Sequence, residues 1–191
     1  MTEHKNETKE IHAHDESNHS HHSHDSRENG GTAHGPGAAA TPMRALLRRP
    51  EDGESIEVAG VGHFFRLTSE HTEGRFAFEE FTLEPGVIGA RPHVHGAHDE
   101  YFYVLEGELT LHNGDGEVSV GPGHLLAALR GTPHGFRNAG TETVRGLCLY
   151  TPAGYEGYFR EVHAAVAAGA EVTDELLAEF RSRYRTTSHP Q

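Results

Sequence analysis

RPHVHGAHDEYFYVLEGEL, Arg91 to Leu109, places three histidines and two adjacent acids ahead of an apolar run. On an extended strand side chains alternate between faces, so His93 and His95 point the same way. By the same alternation Glu100, Phe102 and Val104 share one face, and Tyr101, Tyr103 and Leu105 share the other. If the Val104 face is the core, Glu100 points into the interior that receives the histidine pair. A lone carboxylate there is costly to keep charged, and a bound cation would compensate it. Two imidazoles and a carboxylate suit a divalent Fe, Mn, Ni, Co, Cu or Zn ion. His98 falls in a loop and reads as an exposed or neighbouring residue outside the site. Asp99 has the wrong parity and is expected to be solvated.

The whole chain bounds what this cradle can serve. At 191 residues it suits one domain of ordinary size with room for a tail. A formal net charge of −13 argues against nucleic acid and against an anionic membrane surface, both of which need clustered Lys and Arg. The only lysines are Lys5 and Lys9 in the tail, so the folded part cannot form a lysine Schiff base. The single cysteine, Cys148, excludes an intrachain disulfide and a thiolate zinc cluster, and within GLCLY it reads as a small buried hydrophobe. The start MTEHKNETKE has no apolar h-region and no run is long enough to span a bilayer, so a cytoplasmic protein is expected.

Composition divides the chain. Residues 1–41 are rich in Glu, His, Ser and Gly and nearly free of large apolar side chains, which predicts a disordered tail. Its centre, His19-Ser20-His21-His22-Ser23-His24-Asp25, binds metals nonspecifically at most and is not counted toward the site. Met43 to Arg49 is expected to form a short turn or helix ending at Pro50. Short β-rich runs follow, at 56–59, 63–68, 75–83, 100–105, 108–112, 117–120, 124–129, 134–137 and 143–150, punctuated by Gly, Pro and Asn. Asn113-Gly114-Asp115-Gly116 is a hairpin signal. Strands this short and evenly spaced imply an all-β antiparallel sandwich or barrel over residues 42–152. Residues 153–191 switch to helical spacing, with apolar positions at Tyr158, Phe159, Val162 and Val166. Thr173 is placed to cap a second helix that carries acids in its first turn and arginines near its end.

A second segment, GHLLAALRGTPHGFRN from Gly123 to Asn138, adds the distant ligand that a barrel metal site requires. His134 follows a Gly-Thr-Pro turn, where a strand can re-enter beside the first pair. Together the two segments resemble the motifs of the cupin superfamily. The first motif, G(X)5HXH(X)3–4E(X)6G, is followed from Gly86 to Gly107 with one extra residue before His93. The second, G(X)5PXG(X)2H(X)3N, is followed from Gly123 to Asn138. Leu129 stands where the motif has its proline, and His124 where an aspartate commonly follows the first glycine; neither is a ligand position.

The resemblance covers roughly residues 55 to 152 and implies a single double-stranded β-helix, or jelly-roll barrel, with C-terminal helices. It implies that His93, His95, Glu100 and His134 hold one divalent transition metal. Phe76, Phe78, Phe102, Phe136, Leu109 and Leu111 are expected to line an apolar pocket suited to a planar organic substrate, with Arg91 near its mouth for one anionic group. The segment TPAGYEGYF, Thr151 to Phe159, is similar to the tail of small bacterial cupins related to quercetin 2,3-dioxygenases. That likeness implies a metal-dependent dioxygenase acting on a small phenolic or enolisable compound, with O2 as co-substrate and Glu100 as both ligand and general base. The alternatives are a non-oxidative metal-assisted isomerase, cyclase or lyase, and a cupin that binds a small molecule without chemistry. Outward-facing Tyr101 and Tyr103 predict a homodimer.

Overall fold

The computed structural model describes residues 45–189. The expectations for residues 1–41 and for Met43 and Arg44 lie outside them. The described chain forms eleven strands and three helices. In chain order these are β1 (Glu54–Val58), β2 (Val61–Leu67), α1 (Ser69–Thr72), β3 (Ala77–Leu83), β4 (Ile88–His95), β5 (Asp99–Glu106) and β6 (Leu109–His112). They continue with β7 (Glu117–Val120), β8 (Leu125–Ala128), β9 (His134–Arg137), β10 (Val144–Thr151), α2 (Glu156–Ala167), α3 (Asp174–Arg183) and β11 (Thr186–Ser188).

The strands make two sheets, one ordered β1-β2-β3-β10-β5-β8 and the other β11-β4-β9-β6-β7. The ladder pairs are antiparallel throughout, and β2, β3, β5 and β10 alternate between a buried face and a more exposed one. The predicted all-β jelly roll with C-terminal helices is the observed fold. Alternation sets its core. Ala77, Phe81 and Leu83 of β3, Phe102 and Val104 of β5, and Val144 and Cys148 of β10 are buried. Full burial of Phe65 and Phe81 contributes roughly 2 kcal/mol each by transfer from water. Cys148 packs as the expected inert hydrophobe, and burial pushes its thiol pKa well up.

Two turns hold the functional strands in register. Between β6 and β7, Asn113 Oδ1 accepts from the backbone N–H groups of Asp115 and Gly116 at 3.1 and 3.2 Å, closing the hairpin that its sequence signals. After β5, Gly107 adopts φ +77, and a Cβ there would lie 2.8 Å from the Thr143 carbonyl oxygen. Only glycine fits both constraints.

Two expectations about elements need correction, and one strand, β4, lies outside the expected runs. Residues 45–49 form no helix: Leu46 and Leu47 are exposed, so a helix there has no face to bury, and the Arg66 guanidinium holds the carbonyl oxygens of Arg49 and Pro50. β4 is one strand of eight residues, although Gly89 and Pro92 interrupt its apolar alternation and its pairing with β9 slips twice. The C-terminal segment is not purely helical, because after α3 the chain returns as β11 and pairs with β4 from His93 to His95. Thr173 does cap α3, its side chain accepting from Leu176 N at 3.2 Å. Among the described residues no helix is long and apolar enough to cross a membrane.

Candidate metal centre

β4 delivers His93 and His95 to one face, as period two requires, and Glu100, the second residue of β5, points into the same interior. β9 begins at His134, which is the register partner of His93 across the β4–β9 ladder. One ligating atom from each of the four residues lies within 4.8 Å of the others, and all four side chains are buried. His95 Nε2 stands 3.0 Å from Glu100 Oε1, and His134 Nε2 stands 3.1 Å from Glu100 Oε2.

The outer nitrogens explain why the inner ones converge. His93 Nδ1 donates to the Arg91 carbonyl oxygen at 2.8 Å, and His134 Nδ1 donates to that of Thr132 at 2.9 Å. His95 Nδ1 lies 2.7 Å from Thr186 Oγ1, whose hydroxyl donates in turn to the Tyr184 carbonyl at 3.4 Å. With protons on Nδ1, each ring turns an Nε2 lone pair inward. His93 Nε2 and His95 Nε2 are then 2.9 Å apart with no proton between them. A cation resolves that opposition of lone pairs, and the donor set of three imidazoles and a carboxylate fits a divalent transition metal.

Protonation follows from the same contacts. Burial, and after it the neighbouring His134, lowers His93 to about 3. Burial alone would raise Glu100, but its close contacts with the imidazoles of His95, His134 and His98 prevail and hold its carboxyl well below the usual range. Burial likewise opposes a charge on His134, yet the Glu100 carboxylate beside its Nε2 outweighs burial and raises that imidazole, so without a cation the site draws a proton onto the nitrogen that otherwise offers its lone pair.

The cluster opens onto a cavity of about 220 Å³, with His93 and Glu100 in its wall. Phe102 and Phe136 line it as the sequence predicts. Phe76 and Phe78 do not: the inward parity of β3 belongs to Ala77, Glu79 and Phe81, which leaves the other two beside a separate outer groove. Leu109 and Leu111 pack in the core away from the cavity. Arg91 does reach the mouth, where it stands 3.6 Å from Asp174. Arg181 of α3 lines the cavity too, its guanidinium 5.8 Å from the Tyr158 ring centre and its Nε without a hydrogen-bond partner among the described residues.

His98 departs from its expected exposure. It is buried, its Nε2 lies 3.2 Å from Glu100 Oε1, and its ring packs 4.4 Å from that of Tyr155. Asp99 faces away from the cluster, as its parity requires, but it is paired rather than merely solvated, accepting from Arg130 N at 2.8 Å and Nε at 3.0 Å. Sequence reasoning missed Tyr155, His63, Glu79 and Tyr150, all of which line the cavity. His63 and Glu79 could have been found as polar residues on otherwise apolar faces, between Val61 and Phe65 and between Ala77 and Phe81.

Comparisons with known proteins agree with this architecture. A family model described as the cupin domain matches residues 79–150, a segment that contains all four converging side chains. The quercetin 2,3-dioxygenase of Bacillus subtilis (strain 168) is 26% identical over 111 residues, covering 57% of this chain and 32% of that protein. The chain therefore aligns with about a third of that relative's length. Among solved structures, a predicted oxalate decarboxylase from Thermotoga maritima superposes with a TM-score of 0.52 at 20% identity, over 56% of this chain and 99% of the other. KdgF from Halomonas sp. superposes with a TM-score of 0.52 at 16% identity, over 60% of this chain and 99% of the other. At those identities the likeness is one of fold. With two antiparallel sheets around the motif histidines and glutamate, and a family model matching residues 79–150, the described chain has the cupin fold and carries a cupin domain.

Proposed function

We propose that this cupin is a metal-dependent dioxygenase of the quercetinase-like type, acting on a small phenolic or enolisable compound. The observation that carries the reading is the opening of a buried three-histidine, one-glutamate donor set onto an aromatic-lined cavity. His93, His95, Glu100 and His134 would hold the ion, and a divalent transition metal bound there would supply Lewis acidity and substrate orientation. Similarity to a quercetin 2,3-dioxygenase over part of the chain supports the choice of reaction.

The chain's own residues have definite work in this reading. Glu100, held ionised by its histidine partners, accepts the proton of the substrate hydroxyl. Phe102 and Phe136, packed against each other with centres 5.2 Å apart, form one apolar wall on which a planar ring can lie and from which water is excluded. The carbonyls of Arg91 and Thr132 keep His93 and His134 in the tautomer that faces the centre.

The test is oxygen uptake. Supplied in turn with Fe, Mn, Ni, Co, Cu and Zn, the protein should consume O2 in proportion to loss of a flavonol or small phenol. Undiminished turnover under anaerobic conditions would contradict the oxygenase and favour the metal-assisted isomerase, cyclase or lyase. Tight binding with no product under any metal would favour a non-catalytic binding protein.

A further inference from the structure

The cavity has a second polar wall, built on strands other than those that carry the donor set. His63 of β2, Glu79 of β3 and Tyr150 of β10 come from three neighbouring strands of one sheet, and all three line the cavity. His63 Nδ1 lies 3.0 Å from Glu79 Oε2, and the Tyr150 hydroxyl donates to Glu79 Oε1. The three are buried, with His63 5% and Glu79 2% exposed. A core position filled this way is less favourable than one filled with apolar residues of the same size, so the trio calls for a role beyond packing.

We propose that His63 is a substrate-binding residue. It accepts a hydrogen bond from a hydroxyl on the end of an aromatic substrate remote from the donor set, with Glu79 and Tyr150 positioning it. A carboxylate can only accept, so Glu79 fixes the imidazole proton on Nδ1 and leaves Nε2 as an acceptor. Among the described residues nothing hydrogen-bonds that Nε2. The ring is held by Phe159, 4.1 Å away between centres, which limits its rotation. Tyr150 is the register partner of Glu100 across the β10–β5 ladder, so the two polar walls are joined by one rigid pair of strands. The cavity thus offers an oxygen-binding group at each of two walls with Phe102 and Phe136 also lining it. That selects a phenolic compound carrying a second hydroxyl away from the reacting oxygen. The inference deepens the proposed function and rests on it for the first anchor.

Calorimetric binding to the full-length protein supplied with zinc tests the second anchor. The probes are two matched pairs of different length: phenol with hydroquinone, and 4-hydroxybiphenyl with 4,4′-dihydroxybiphenyl. In at least one pair the second hydroxyl should raise affinity about tenfold, the size of one buried hydrogen bond. His63→Phe should erase that gain, while His63→Gln should restore part of it. No gain in either pair, or a gain that survives His63→Phe, would overturn the proposal. If His63→Phe does not fold, ¹⁵N-histidine spectra of the unaltered protein decide instead: the dihydroxy probe should shift His63 Nε2, and an unmoved resonance overturns the assignment. Oxygen consumption enters none of these readouts, so the dioxygenase reading and this one fail separately.

Discussion

His93, His95 and Glu100 show how far single residues can be read from spacing. Period two placed them on one face, and the strands of the structure do the same. His98 shows the limit of the method. A loop position suggested exposure, but a loop that opens a barrel strand can turn inward, and His98 sits under Tyr155 against Glu100. His63 and Glu79 were illegible as a pair because no motif joins residues 16 apart on different strands; only the β2–β3 pairing brings them together. The role proposed for Glu100 belongs to this scale. Glu100→Gln keeps the shape and one acceptor oxygen but removes the charge and the basic site. Turnover should fall by at least about a thousandfold with the melting temperature changed by only a few degrees, a size consistent with losing both base and ligand. Steady-state kinetics beside a thermal melt checks it, and full retained activity would refute the base assignment.

Among the elements, the strands that alternate cleanly were the readable ones. β5 and β10 bury every second residue and stood out in the sequence, as did the Asn113-to-Gly116 hairpin. β11 did not, because Thr186, Thr187 and Ser188 are short and polar and are held by backbone pairing to β4 rather than by an apolar face. Yet β11 reaches the centre: Thr186 Oγ1 meets His95 Nδ1 at 2.7 Å. Outer hydrogen bonds of this kind fix a ligand's tautomer and direction, and their loss typically costs ten- to a hundredfold in metal affinity. Thr186→Val preserves the shape of the strand and removes the acceptor. Competition with a chromophoric chelator should show zinc affinity weakened by about tenfold or more at unchanged secondary structure. Unaltered affinity would mean that β11 only closes the sheet.

At the scale of the whole molecule, the fold class was legible because two motifs in order constrain the barrel's architecture, whereas the reaction depends on the cavity's contents. Association was expected from outward tyrosines, and the structure leaves Tyr103 40% exposed beside its register partner Leu125, 65% exposed. We propose that this edge joins two copies. Light scattering at micromolar concentration should give twice the chain mass, and Tyr103→Arg with Leu125→Arg should return a monomer; a wild-type monomer would contradict it. The account as a whole stands on the metal centre, and the histidine-rich tail must not confound its measurement. Elemental analysis of residues 42–191 after exhaustive dialysis is therefore the most direct test. The expected result is one divalent transition-metal ion per chain, reduced to background in the His93→Ala, His134→Ala double variant. Protein without stoichiometric metal after supply of each of the six ions, or a double variant that retains its metal, would contradict the account.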